Sequence, residues 1–248
     1  MEATRVALVT GGMSGLGTAI CRRLDRAGFR VAASYSPRQR DPQAWLAAQR
    51  DEGHRFALYR VDAADYADAE WMVQKVLAEL GRIDVLVNNV GLLCDRSLSK
   101  MTADDWHSVL RANLDSVFNM SKQVIDPMAE LGWGRIINMS CVTAQSGAFG
   151  QSNYAAAKAG MHGFTKSLAL EVARLGITVN TVSPGFLRSK VSLAIDPAVM
   201  AKSVLPAIPV GRLGEPDEVA ALVAYLASDL AGFITGANIA INGGQHTS

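Results

Sequence analysis

Cysteine is scarce. The chain of 248 residues has three, Cys21, Cys94 and Cys141, far apart and odd in number. There is no CxxC pair, and the four histidines form no HExxH set. A disulfide framework and a zinc centre are therefore poor readings, and free thiols in a reducing compartment fit better. An excess of charge of one sign is lacking too. Lys and Arg total 24 against 23 Asp and Glu, a net +1, and the basic residues are scattered, which leaves no electrostatic footprint for nucleic acid or an anionic membrane. Long apolar runs are missing: "EVAALVAYLAS" falls well short of the roughly 20 residues a spanning helix needs. The N-terminus, "MEATRVALVTGG", passes almost directly into an apolar strand without a basic segment and a long apolar one, so no signal peptide is expected and a cytoplasmic location is. No linker rich in Pro, Gly and Ser and no repeat divides the chain, so residues 1–248 read as one domain.

What is present is a large apolar fraction, 49%, enough for a sizeable core. Short β-branched runs alternate with longer stretches of helical period. The runs at 5–10, 30–35, 55–61, 83–89, 134–140, 177–182 and 238–242 predict seven strands. Amphipathic segments at 16–27, 65–80, 102–131 and 152–175 predict helices, and Pro216 with nearby acids opens another over 214–229. Strands apolar on both faces and separated by helices predict an α/β fold with a doubly wound parallel sheet of Rossmann type. The segment 184–213, with Pro and Gly at both ends, fits no strand and is expected to cover a ligand site.

"TGGMSGLG" follows the first strand and opens the first helix. Its Gly11, Gly12, Ser14, Gly15, Leu16 and Gly17 are candidates to meet a dinucleotide pyrophosphate, which glycine backbone can approach and a helix N-terminus favours. The spacing is not the GxGxxG of the general fingerprint, and a plain tight turn is the bland reading. The end of the second strand reads "SYSPRQR", with Ser36, Arg38 and Arg40 where a ribose-binding acid would select NAD. Guanidinium groups suit a 2′-phosphate, so NADPH/NADP is the expected cofactor, against two merely solvated arginines. Asp41, before Pro42, is expected to cap a helix. Asp62 would either contact adenine or cap.

Tyr154 and Lys158, four apart in "QSNYAAAK", share one helix face. An ammonium beside a phenol is expected to lower the tyrosine pKa, as suits a general acid that protonates an oxygen while hydride reaches its carbon. Alone, the pair reads as an ordinary surface couple.

The whole set resembles the short-chain dehydrogenase/reductase family: "TGGMSGLG", "NNVG" (88–91), Asn113 in "RANLDSVFNM", Tyr154 with Lys158, and "SPG" (183–185) come in its order and spacing. "GGMSGLGTAICRRL", "GWGRIINMS", "AFGQSNY", "KAGMHGFTKSLA", "TVNTVSPG" and "TGANIAINGG" are similar to the acetoacetyl-CoA reductases of polyhydroxybutyrate synthesis, and next to the 3-oxoacyl-ACP reductases. The resemblance implies that Tyr154 is the acid, that Lys158 tunes it and holds the nicotinamide ribose, and that Asn113 orders a relay water. It implies that Asn89, Gly91, Pro184 and Gly185 border the cofactor and that Ser189 stands where a threonine often binds the carboxamide. It also implies a homotetramer, with 102–131 and 152–175 at a dimer surface.

Three departures stand out. Cys141 occupies the place of the family's serine, a donor to the substrate oxygen. Ser140 is expected to face away, since neighbours on a strand point to opposite sides, and Thr143 would be displaced. Losing such a donor outright costs roughly 10²–10³ in rate; a weak S–H donor predicts a slower reductase, with a redox-sensing thiol as the other reading. "NNVG" has valine where the family has alanine, and "FLRSKV" follows the SPG turn in place of a common Thr-Asp pair.

On the substrate side, Phe149, Gln151 and Phe186 are candidates to surround a short 3-oxoacyl thioester, with core packing as the alternative for Phe149. Arg188 and Lys190 would meet coenzyme A phosphates or water. The expected function is NADPH-dependent reduction of acetoacetyl-CoA. Reduction of another small ketone or of a 3-oxoacyl-ACP is the enzymatic alternative, and a silent NADP(H)-binding protein the non-enzymatic one.

Overall fold

A computed structural model describes residues 4–247, apart from the side chains of Lys190 and Val191. Seven parallel strands form one sheet in the order β3-β2-β1-β4-β5-β6-β7. They are β1 (Val6–Val9), β2 (Arg30–Tyr35), β3 (Ala57–Arg60), β4 (Val85–Asn88), β5 (Gly134–Met139), β6 (Ile177–Pro184) and β7 (Asn238–Ile241). The sequence placed all seven, β2 with its observed bounds and the others apart from β6 one to three residues too long. β6 is instead longer than expected and takes Pro184 into the sheet, paired with Ile241.

Alternation along each strand divides the core. Ala7 and Val9 face one apolar layer, with α1 (Gly15–Arg26), α2 (Pro42–Asp51) and α10 (Pro216–Leu226) over it. Val6 and Leu8 face the other, under α3 (Tyr66–Leu80), α5 (Ser116–Leu131) and α7 (Ser152–Val172). Period-2 side chains sandwiched between period-3.6 stripes give two sealed layers.

Helix starts follow their caps. Ser14 Oγ accepts from Gly17 N at 3.0 Å to begin α1, and Asp65 accepts from Asp68 N at 2.9 Å to begin α3. Asp41 precedes α2 in the left-handed region, φ 53°, and makes no side-chain cap; Pro42 alone starts that helix, contrary to expectation. The 102–131 segment is not one regular helix. α4 (Ala103–Leu110) opens with a Thr102–Asp105 capping box, then a π turn over Arg111–Asp115 leads into α5. Two short helices, α6 (Thr143–Ser146) and α8 (Lys190–Leu193), border the site, and α9 (Pro197–Val199) lies in the covering segment.

The strand order reverses at β1, whose neighbours are β2 and β4. Loops leaving adjacent strand ends in opposite directions open a crevice there.

Candidate active site

The β1–α1 turn is built to let backbone face outward. Gly11 sits at φ +61°, where a side chain is strained. Asn89, just after β4, donates from Nδ2 to the carbonyls of Thr10 and Gly11, each at 3.2 Å, and to Ser14 Oγ at 3.3 Å. Thr10 Oγ1 accepts from Asn89 N at 2.9 Å. The glycine turn and the β4 loop are thereby locked together across the switch point.

A cleft of 460 Å³ opens between them. Of the candidate cofactor residues, Gly11, Ser14, Ser36, Arg38, Asp62, Asn89 and Gly91 line it. Gly15 is exposed beside the turn, with open space where a Cβ would stand. Gly12 and Gly17 instead serve packing: both are buried, and a Cβ on Gly12 would press on Ala33 at 2.7 Å. Leu16 turns its side chain into the core. Arg40 is exposed and does not line the cleft. Asp62 accepts from Ala64 N at 3.1 Å and so forms a local turn; the cap of α3 is Asp65. Met13, Ser108 and Arg111 line the cleft without having been anticipated; only nearness to the glycine turn and to Asn113 marked them in the sequence.

This cleft fits a dinucleotide on the structure's own terms. Ser34 Oγ is buried beside it with no hydrogen-bond partner among the described residues. Gly91 brings bare backbone against Asn113 and Lys158, where a Cβ would lie 3.2 Å from Asn113 Oδ1 and 3.8 Å from Lys158 Nζ.

Asn113, fully buried, sits in the π turn. Its Nδ2 donates to Leu92 O at 2.9 Å and to Val109 O at 2.8 Å, and its Oδ1 accepts from Leu92 N at 3.3 Å. The side chain thus takes up a carbonyl of the regular helical ladder, consistent with a widened turn at this point.

Lys158 is 3% exposed and donates from Nζ to Met139 O at 2.7 Å. Burial pushes its pKa down to about 8. The ammonium lies 5.7 Å from the centroid of the Tyr154 ring. Tyr154 does not show the expected lowering. Burial first, then the neighbouring Cys141 and Asp95, hold its phenol above the usual range. Desolvation of the phenolate outweighs an ammonium that burial has itself weakened and that faces a carbonyl.

Cys141 lies against this phenol, and its thiol donates to Thr143 Oγ1 at 3.5 Å. Ser140 points the other way, as expected, into the contact between β5 and α7, where Oγ donates to Lys158 O at 3.1 Å. Cys21 is buried in the core and Cys94 donates to Asp105 Oδ1 at 3.1 Å; all three cysteines are free.

The proposed substrate side is less gathered. Gln151 lies beside the start of α7, its Nε2 donating to Asp95 Oδ2 at 2.8 Å. Phe149 is 95% exposed, neither core nor part of a closed wall. Phe186 faces a separate 160 Å³ cavity shared with Ile208, Val210 and Val219. Pro184 is buried at the end of β6, and Gly185 leaves no room for a Cβ against Gln245 and Asn242. Ser189 caps α8, its Oγ accepting from Ser192 N at 3.1 Å. Arg188 is paired with Glu215 at 2.8 Å. The reading of Lys190 concerns a side chain outside the described residues.

Among the described residues no group of three or more His, Cys, Asp and Glu is arranged to hold a metal, and no helix is long and apolar enough to cross a membrane. A family model described as enoyl-(acyl carrier protein) reductase matches residues 11–246. The chain is 49% identical over 242 residues to the acetoacetyl-CoA reductase of Cupriavidus necator, covering 98% of each chain. It is 45% identical to nodulation protein G of Azospirillum brasilense, over 97% of both chains. It is 39% identical to a 3-oxoacyl-[acyl-carrier-protein] reductase of Haemophilus influenzae, covering 98% of this chain and 99% of the relative. With the switch-point cleft, the Tyr154–Lys158 pair and a match along nearly its whole length, the chain belongs to the short-chain dehydrogenase/reductase family of nicotinamide-dependent oxidoreductases.

Proposed function

We propose that the protein is an NADPH-dependent reductase of short 3-oxoacyl thioesters, acetoacetyl-CoA first among them, and yields the 3-hydroxyacyl thioester. The observation that carries the reaction type is the contact of Tyr154 with Cys141 above a buried Lys158. A phenol held protonated is a ready acid for a carbonyl oxygen. Tyr154 gives its proton to that oxygen as the hydroxyl forms, and the Cys141 S–H adds a weak hydrogen bond to the same oxygen. Lys158, anchored through Met139 O, stabilises the phenolate left behind, and Asn113 keeps the Leu92 loop closed over this end. Gly11, Ser14, Asn89 and Gly91, which line the cleft, would hold the dinucleotide, whose nicotinamide would supply hydride for the carbonyl carbon.

Arg38 supports NADPH over NADH. It lines the cleft, and its guanidinium makes no ion pair among the described residues; no acid stands between Ser36 and Arg40. The substrate class rests on the acetoacetyl-CoA and 3-oxoacyl-[acyl-carrier-protein] reductases that the chain resembles. The reading includes a single domain in the cytoplasm and a homotetramer, which half-exposed Phe118 on α5 and exposed Leu170 on α7 would suit.

The test is oxidation of NADPH with acetoacetyl-CoA by the native protein, Cys141→Ser and Tyr154→Phe, with NADH as the alternative cofactor. Measurable turnover is expected, about tenfold faster in Cys141→Ser, lost in Tyr154→Phe, and at least tenfold less efficient with NADH. NADPH binding without turnover on this or any related ketone would overturn the enzymatic reading.

A further inference from the structure

Ser140 faces away from the substrate, as expected, but its surroundings give it other partners. Lys158 is held at both ends by consecutive residues of one strand end: Nζ donates to Met139 O at 2.7 Å, and its main-chain carbonyl accepts from Ser140 Oγ at 3.1 Å. The same Ser140 Oγ lies 2.9 Å from His162 Nε2, one helical turn beyond Lys158. Ser183, near the end of β6, also faces that nitrogen at 3.5 Å, while its own hydroxyl donates to Asn238 Oδ1 at 2.7 Å. Each hydroxyl has one proton. With Ser140 directing its proton to Lys158 O and Ser183 to Asn238 Oδ1, both oxygens are left to accept from Nε2. That arrangement favours the tautomer with the proton on Nε2.

We infer that His162 and Ser140 form a positioning clamp that sets the register between the end of β5 and the catalytic turn of α7, and with it the placement of Tyr154 against Cys141. Cys141 directly follows Ser140, and Tyr154 lies one turn before Lys158, so a slip between strand end and helix changes the distance between the proton donor and the thiol. Neither clamp residue touches substrate; both act through Lys158. The acceptor side of the clamp is enclosed: Ser140 is 7% and Ser183 0% exposed, while His162 is half-buried, and a donor held against this wall without an acceptor is disfavoured. Reacting groups tolerate little displacement, since a shift of about 1 Å can reduce the rate roughly 10²-fold. The inference rests on the reductase reading for its kinetic consequence but not for its geometry.

The test therefore has two arms. Nitrogen-15 spectra of histidine-labelled protein at pH 7.5, with the His162 signals assigned by their loss in His162→Gln, are expected to show an Nε2-protonated ring whose shifts move in Ser140→Ala. A ring protonated on Nδ1, or one indifferent to Ser140→Ala, overturns the clamp whether or not the protein turns over any ketone. In the kinetic arm, Ser140→Ala is expected to lower kcat 10- to 100-fold with KM for NADPH and ketone within twofold. Ser140→Thr, which keeps the hydroxyl, is expected to recover most of the loss. His162→Gln, which keeps a donor, should outperform His162→Leu, and this comparison decides if Ser140→Ala does not fold. An unchanged kcat, a change confined to KM, or Thr no better than Ala overturns the positioning role. A clamped ring in a protein that reduces no ketone would leave the geometry standing and remove the proposed function instead.

Discussion

At the scale of single residues, the site works against the solvation preferences of its own groups. Lys158 is an ammonium enclosed by protein, with one main-chain carbonyl to answer it. Depressing its pKa from 10.5 to about 8 corresponds to roughly 3 kcal/mol of lost stability at neutral pH. Removing the charge forfeits the hydrogen bond to Met139, about 1–3 kcal/mol with a charged donor. Lys158→Met is thus expected to abolish turnover while leaving the cofactor-free protein as stable at pH 7 or a few degrees more so, by thermal unfolding. The advantage should shrink between pH 8 and pH 10.5. In that window the folded native protein has shed the Lys158 proton while the unfolded chain keeps it, so native stability rises with pH. A Tm drop of many degrees at pH 7 would contradict this balance. Tyr154 shows the limit of reading residues from a pattern: spacing put Tyr154 and Lys158 on one face, but the direction of the phenol's shift depended on enclosure, which spacing does not contain.

At the scale of elements, punctuation was partly legible. Pro216 opens a helix as its type directs, whereas the caps at Ser14, Asp65 and Thr102 were not singled out. Asp41, expected to cap, does not, because its own backbone turns left-handed and its side chain does not reach the helix amides. Asp62 closes a local turn three residues before the true cap. The π turn at Arg111–Asp115 was not legible, since its apolar spacing passes for one amphipathic stretch, while Asn113 Nδ2 bonds both Val109 O within the helix and Leu92 O on a distant loop. Packing between elements is tight where β5 begins. A Cβ on Gly134 would meet Met128 Sδ at 2.7 Å, Met128 Cβ at 2.9 Å and Ile177 at 3.0 Å. Gly134→Ala is accordingly expected to destabilise by about 1–3 kcal/mol through overpacking, measured by urea unfolding. NADPH affinity of the folded variant should be unchanged, because Gly134 lies at the far end of the strand from the cleft.

At the scale of the whole molecule, one segment is held differently from the rest. Residues 187–214 leave and return at a single bridge between Leu187 and Gly214, with Arg188–Glu215 and Arg212–Glu218 ion pairs at the base. Between these points Leu193 and Val199 are exposed, and among the described side chains the segment gathers a small apolar cluster of its own around Val204, Ile208 and Leu213. Few apolar anchors and exposed ion pairs mean low local stability. Limited proteolysis is expected to cut first within this stretch and to slow at least severalfold with NADPH and acetoacetyl-CoA together. Equal protection by either alone would argue against closure over the substrate.

The sequence by itself determined the fold, because alternating apolar periods of two and 3.6 leave a parallel sheet between two helical layers as the arrangement that buries every stripe. It also picked out Tyr154, Lys158, Asn113 and Cys141 as candidates, through the resemblance of the whole motif set to a known family, since the Tyr–Lys spacing alone reads as a surface couple. Only the tertiary structure decided what those residues are to one another. It made Ser140 a partner of His162 and Lys158, separated Arg40 from the cleft that Arg38 lines, and held the Tyr154 phenol above its usual range. Each of these depends on burial and on contacts between segments distant in the chain, which local pattern does not encode.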